Sequence, residues 1–153
     1  MVEVGVMGGG SLKMWKEYFG EGSRIVGVDI NPDCKVHESE GIEVFIGSQD
    51  DPALIDALFA KYPHVDLVLD DGSHMMRHMI ATFELMYDRV QPKGVYMVED
   101  THTCYWSEYG GGLRREGSFM EFAKQKFDEI ISGNSESSLV NNLLRSSKNI
   151  QKK

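Results

Sequence analysis

The sequence predicts an α/β fold, a doubly wound parallel sheet with helices on both faces, and three observations support it. Short apolar runs rich in Val and Ile alternate with stretches in which apolar residues recur every three or four positions. The links between them are short, as right-handed strand–helix–strand crossovers require. The runs also end in acids: Asp29 after the second, Asp70 and Asp71 after the fourth, Glu99 and Asp100 after the fifth. In an open parallel sheet these ends share one edge, the edge where ligands bind.

Residues 2–7 form a β-branched run that breaks into Gly8, Gly9, Gly10 and Ser11, after which Leu12, Trp15 and Phe19 mark a helix. A second strand spans 24–29 and stops at Asn31-Pro32, and a third spans 42–46. Pro52 suits the first turn of a helix, Asp50 or Asp51 its N-cap, and Leu54, Ile55, Leu58, Phe59 and Tyr62 its inner face. A fourth strand covers 65–69. The next helix carries Met76, Met79, Ile80, Phe83, Met86, Tyr87 and Val90 inward, and Q-P-K-G closes it before a fifth strand at 94–98. Residues 101–112 read as a loop, and 118–131 as a helix with Phe119, Phe122, Phe127 and Ile130 inward. The domain therefore spans 1–131, followed by a polar tail at 132–153.

Composition narrows the function. At 153 residues the chain suits one domain, and a net charge of -8 disfavours non-specific contact with nucleic acid or anionic membranes, which needs a basic face. No apolar run approaches the roughly 18 residues of a membrane span. Cys34 and Cys104 are widely separated, with no C-x-x-C pairing. Two reduced thiols and no targeting segment make the cytoplasm the expected location, and a small molecule the expected partner.

The chemistry gathers at the sheet edge. V-L-D-D-G-S-H at 68–74 ends an apolar run in two carboxylates, a turn glycine and an imidazole, and G-V-Y-M-V-E-D at 94–100 repeats the pattern one strand later. The glycine loop from Gly5 to Gly10 lets backbone approach a ligand, and the helix that follows favours a negative group at its start. Asp29 stands 19 residues after Gly10, where an acid can accept from both hydroxyls of a ribose. A nucleoside-containing cofactor is the natural occupant. A dinucleotide fingerprint beginning at Gly5 requires glycine at position 7, where Met7 stands, which weakens an NAD-dependent oxidoreductase as the alternative.

E-V-G-V-M-G-G-G-S at 3–11 resembles the first motif of class I S-adenosylmethionine-dependent methyltransferases. Together with V-D-I-N-P, D-D-G-S-H-M-M-R-H and G-V-Y-M-V-E-D-T-H-T-C-Y-W, it resembles the metal-dependent sugar O-methyltransferases that tailor macrolides and related glycosides, over roughly residues 2–106. The resemblance implies that Glu3, Gly5, Gly8 and Ser11 surround the cofactor and that Asp29 holds its ribose. It puts Ser48 and Gln49 beside the adenine, and Asp70 lines the cofactor pocket. Asp71, Glu99 and Asp100 become ligands of Mg²⁺ and His74 the base that takes the proton from a sugar hydroxyl. The elementary chemistry agrees. Mg²⁺ takes hard oxygen ligands and keeps open positions, and histidine ordinarily titrates between pH 5 and 8. The acceptor is a hydroxylated small molecule, a sugar or glycoside.

Several neighbours have plainer readings. His74 and His78 lie four apart on one helical face, but Met75 stands where a zinc protease motif needs Glu, so His78 is a supporting or packing residue. Met75, Met76, Met79 and Met86 are core filling. His102, Tyr105 and Trp106 form a candidate substrate wall. Class I methyltransferases generally carry seven strands and the sequence shows five, lacking the last two. The chain is then either a truncated form, active or only cofactor-binding, or a reduced relative whose open sheet edge is covered by its C-terminal segment or another copy in a homo-oligomer.

Overall fold

A computed structural model of the protein describes residues 1–132, so the predicted polar tail lies outside the described residues from 133 onward. Five strands alternate with helices: β1 (Val2–Val4), α1 (Gly10–Phe19), β2 (Ile25–Asp29), β3 (Ile42–Ile46), α2 (Pro52–Lys61), β4 (Val65–Asp70), α3 (Met76–Met86), β5 (Val90–Val98) and α4 (Phe119–Ser132). The sheet order is β3-β2-β1-β4-β5 and every pairing is parallel. The strand order therefore reverses between β1 and β4, the switch point where a ligand crevice opens in such sheets.

Alternation along the strands divides the core. Val2, Val4, Val26, Val28 and Val68 pack with Ile55, Leu58 and Phe59 of α2 and Met86 of α3 on one face. Leu12 of α1 meets Ile25, Ile42 and Val44 on the other. Asp51 is the cap of α2: its side chain accepts the Ala53 N–H at 2.9 Å, and Pro52 occupies the first turn. Gly27 is required because a Cβ there would come within 2.5 Å of Val6 as α1 crosses β2.

The second half departs from the sequence reading in three places. Tyr87–Arg89 forms a 3-10 turn, and β5 already begins at Val90, so Q-P-K-G lies inside the strand rather than closing a helix. Pro92 is tolerated there because it falls in the register irregularity between the Val65–Val90 and Leu67–Val95 pairs, on the strand that lies at the sheet edge among the described residues. Phe127 is 62% exposed instead of inward. The buried stripe of α4 runs through Phe119, Phe122 and Ala123, which pack against Met76, Met79 and Phe83, and Phe127 falls to its side. Finally, 101–109 is built of 3-10 turns, Thr101–Tyr105 and Ser107–Tyr109, with Thr103 and Cys104 buried. The Gly112 N–H donates to the Cys104 carbonyl at 2.8 Å, and a Cβ on Gly111 would approach the same oxygen to 2.3 Å, which accounts for the run of glycines. Among the described residues no helix is long and apolar enough to cross a membrane.

Candidate active site

The strand ends enclose a cavity of about 460 Å³ at the switch point. Its wall includes Gly5, Asp29, Ser48, Gln49, Asp71, His74 and Asp100, so seven predicted site residues from the ends of all five strands share one space. That volume lies within the usual range for a small-molecule site, roughly 300–1,000 Å³.

On the β1–β2 side the loop is shaped by contact. Gly5 has φ 92°, and a Cβ on it would come within 2.1 Å of the Asp71 carbonyl oxygen, so only glycine lets the two loops touch. The Asp29 carboxylate accepts N–H groups from Val6 at 2.8 Å, Met7 at 3.1 Å and Asn31 at 2.8 Å. Burial pulls the Asp29 carboxyl up, but the backbone donors of Asn31, Met7 and Val6 outweigh it and hold it below the ordinary value. Asp29 thus ties the glycine loop to β2 while remaining in the cavity wall.

Four expected cofactor contacts, Glu3, Gly8, Ser11 and Asp70, stand outside that wall. Glu3 is 1% exposed; one carboxylate oxygen accepts the Ser11 hydroxyl and the other, Oε2, is buried without a partner. Burial pushes the Glu3 carboxyl up, with the Ser11 donor opposing. Glu3 and Ser11 therefore join β1 to the first turn of α1 beneath the glycine loop. Gly8 is exposed outside the cavity, with open space around the position of a Cβ. Asp70 is 2% exposed beneath the cavity, where it faces Gln49 Nε2 at 3.2 Å and the Tyr96 hydroxyl at 3.5 Å. Burial pushes its carboxyl up to about 6 against the donors of Gly72, Gln49 and Tyr96. β4 runs to Asp70, one residue past the strand read from the sequence, so Asp70 belongs to the sheet and Asp71 is the first residue of the loop.

The β4–β5 side is different in kind. Asp71, His74 and Asp100 offer ligand atoms within 4.8 Å of one another. His74 Nε2 lies 3.9 Å from Asp71 Oδ1 and 3.7 Å from Asp100 Oδ2. No described residue donates a hydrogen bond to either carboxylate. Burial pushes the Asp71 carboxyl up; His74 opposes this and Asp100 adds to it. Glu99 stands outside the compact group: its N–H donates to the Asp70 carbonyl at 3.0 Å and its charge acts on Glu3. Two carboxylates and an imidazole converging without donors suit a divalent cation, and carboxylate oxygens favour a hard one.

Backbone strain marks the same cavity. Met7, His74 and Asp100 have φ of 47°, 57° and 48°, and all three line it. His74 consequently precedes α3 instead of sharing a helical face with His78, as the spacing had implied. His78 also lines the cavity, with Nδ1 at 2.7 Å from Ser73 Oγ and Nε2 at 3.5 Å from Asp50 Oδ2. Beside His74 stand Tyr109, at 6.3 Å between ring centroids, and Trp106, at 6.0 Å from Tyr109. Tyr109 was not anticipated. The sequence signal was its place three residues after Trp106, which one turn of 3-10 helix brings to the same side. Thr82 and Tyr96, which hold Gln49 and Asp70 from below, were also missed, although a Thr amid the apolar positions of α3 was a visible clue.

No protein-family model matches the chain. Among curated proteins, it is 42% identical over 104 residues to demethylmacrocin O-methyltransferase of Streptomyces fradiae, covering 68% of this chain and 26% of the relative. It is 39% identical over 118 residues to the 8-demethyl-8-alpha-L-rhamnosyl tetracenomycin-C 2'-O-methyltransferase of Streptomyces olivaceus, covering 72% and 31%. Among solved structures it is similar to the MycE methyltransferase of the mycinamycin biosynthetic pathway in complex with Mg, SAH and mycinamycin VI. The TM-score is 0.81 at 33% identity, covering 90% of this chain and 38% of that one. The chain thus spans about a quarter to a third of the length of these curated relatives. Over that shared stretch it has the class I methyltransferase fold and is homologous to the sugar O-methyltransferases of the macrocin, mycinamicin and tetracenomycin type.

Proposed function

We propose that the chain is the S-adenosylmethionine- and Mg²⁺-binding core of an O-methyltransferase acting on a hydroxyl of a sugar or similar polyol. One observation carries the reading: Gly5 and Asp29 line the same cavity as Asp71, His74 and Asp100, so a cofactor and a cation-held acceptor would meet there. The relatives add support, since they are named for methyl transfer to sugar-bearing natural products and MycE is solved with Mg and SAH.

In this reading Asp29 accepts from the ribose hydroxyls, with Gly5 and Ser48 beside the cofactor. Asp71 and Asp100 hold the cation, with Glu99 as the third ligand implied by the resemblance. When bound, the cofactor supplies an electrophilic methyl group, and the cation lowers the pKa of a hydroxyl oriented by Asp71 and Asp100. His74 Nε2, between the two carboxylates, takes the hydroxyl proton as general base. The carboxylates hold the resulting imidazolium in place. Alignment of oxygen with methyl group provides most of the remaining acceleration. Trp106 and Tyr109 form the acceptor wall. The two free, buried cysteines support a reducing, cytoplasmic setting, and the free edge of β5 is the surface to which this reading assigns a second copy.

The test is methyl transfer from S-adenosylmethionine to a panel of methyl glycosides bearing vicinal hydroxyls, with and without a chelator. Transfer that stops on chelation is expected. Cofactor binding without transfer to any hydroxylated acceptor would select a binding-only protein, and thermal stabilisation by NAD in preference to S-adenosylmethionine would select an oxidoreductase. A second role for His74 has one observation behind it, since it groups with Asp71 and Asp100 more tightly than Glu99 does. If His74 is a ligand, His74→Ala loses metal affinity; if it is the base, that variant keeps the metal and loses turnover.

A further inference from the structure

Gln49 lies in the cavity wall, yet its amide is directed elsewhere. Oε1 accepts the Ser73 N–H at 2.8 Å, while Nε2 donates to Thr82 Oγ1 at 2.8 Å and to Asp70 Oδ1 at 3.2 Å. The amide orientation follows from its partners. The Thr82 hydroxyl donates its only hydrogen to the His78 carbonyl at 2.8 Å, so toward Gln49 it can act only as acceptor, and Ser73 N–H can act only as donor. The side chain is 7% exposed, and Gly72 makes its seat: a Cβ there would come within 2.3 Å of Oε1. A second link runs parallel, from the Ser48 hydroxyl to Asp50, from Asp50 to His78, and from His78 to Ser73 Oγ. Both links join the loop after β3 to the loop after β4, and both end on Ser73. Between the Asp70 and Ser73 anchors stands Asp71, and His74 follows directly.

We propose that Gln49 is a positioning residue that fixes the 71–74 loop, and with it the Asp71 carboxylate and the His74 imidazole, instead of contacting the base of the cofactor. An amide with both hydrogens engaged below the cavity has none to donate to a ligand within it. The left-handed backbone of His74, with φ 57°, is a conformation that costs a side-chain-bearing residue free energy and so gains from such fixed neighbours. This inference rests on the methyltransferase reading and extends it to the residue that holds the metal loop in place.

Gln49→Ala and Gln49→Glu, made in the full chain, test it through three measurements: Mn²⁺ affinity, S-adenosylhomocysteine affinity, and exchange of the Ser73 amide hydrogen. Gln49→Ala should expose the Ser73 amide to exchange and weaken Mn²⁺ binding by about tenfold, the usual effect of removing an outer support of a metal site. Its affinity for S-adenosylhomocysteine should stay at the wild-type level. Gln49→Glu keeps the acceptor for Ser73 but sets its second oxygen against the acceptors Asp70 Oδ1 and Thr82 Oγ1. It should therefore retain slow Ser73 exchange and recover part of the Mn²⁺ affinity at a lowered melting temperature. A fall in S-adenosylhomocysteine affinity with Mn²⁺ binding intact would overturn the inference in favour of a cofactor contact. Equal loss of both with a lowered melting temperature would reduce Gln49 to a packing residue. A wild type that binds Mn²⁺ with an affinity that Gln49→Ala leaves unchanged defeats this inference alone. A wild type that takes up no Mn²⁺ defeats the underlying metal reading as well.

Discussion

At the end of β2 the Asp29 carboxylate accepts three backbone N–H groups, whereas at the ends of β4 and β5 the Asp71 and Asp100 carboxylates receive no hydrogen bond from any described residue. The two sides of one cavity are thus built on opposite terms. A carboxylate held by backbone donors has its charge and position fixed by the fold. A pair of carboxylates held close to an imidazole, with acceptor capacity left over, has oxygens available to a cation. Charge alone therefore does not distinguish the two sides; the number of donors already present does.

The contrast can be broken most strongly at His74. His74→Ala should lower the turnover of methyl transfer by about 10³–10⁴-fold, the upper range for a positioned general base, and leave cofactor affinity unchanged. A parallel loss of cofactor affinity, measured by calorimetry, would mean that the two sides are not separate. Gly5→Ala attacks the point where they touch. The added Cβ meets the Asp71 carbonyl at 2.1 Å in a backbone conformation with φ 92°, so strain and overpacking together should cost about 4 kcal/mol in urea unfolding.

A smaller effect comes from below the cavity. Asp70 binds its proton more tightly in the folded chain, where its carboxyl is pushed up to about 6, than in the unfolded one. Its contribution is therefore fully present below the ordinary carboxylate value and is lost as the pH rises through about 6. The difference amounts to at most about 3 kcal/mol between pH 4 and pH 7. Asp70→Asn should flatten that part of the stability–pH curve, and an unchanged slope would show that Asp70 is solvated. The smallest effect is expected at Ser11, whose hydroxyl donates to the buried Glu3 carboxyl. Ser11→Ala should destabilise the chain by about 1–3 kcal/mol, with metal affinity untouched.

Much of this arrangement was legible in the sequence because it obeys period and position. Short Val- and Ile-rich runs marked the five strands, helical spacing marked α1 to α4, and acids at strand ends located the edge where Asp29, Asp71 and Asp100 meet. What escaped the sequence depends on three-dimensional pairing. The register irregularity between Val90 and Val95, which lets Pro92 sit within a strand, is a property of the pairing with β4 and not of the local residues. Asp70 and Asp71 are neighbours of identical chemistry, and only strand pleating sends one beneath the cavity and the other into it. Gln49 reads as a pocket residue from its place after β3, while its partners Ser73 and Thr82 lie 24 and 33 residues away. The left-handed turn at His74 leaves only a weak compositional mark, because histidine enters that conformation more readily than most side chains but usually does not.

The division of the cavity is tested most directly by calorimetric titration of S-adenosylmethionine and Mg²⁺ into the wild type, Asp29→Ala and Asp71→Ala. The account predicts a crossed result: Asp71→Ala loses Mg²⁺ binding and keeps the cofactor, and Asp29→Ala loses the cofactor and keeps Mg²⁺. Undiminished Mg²⁺ affinity in Asp71→Ala would contradict it.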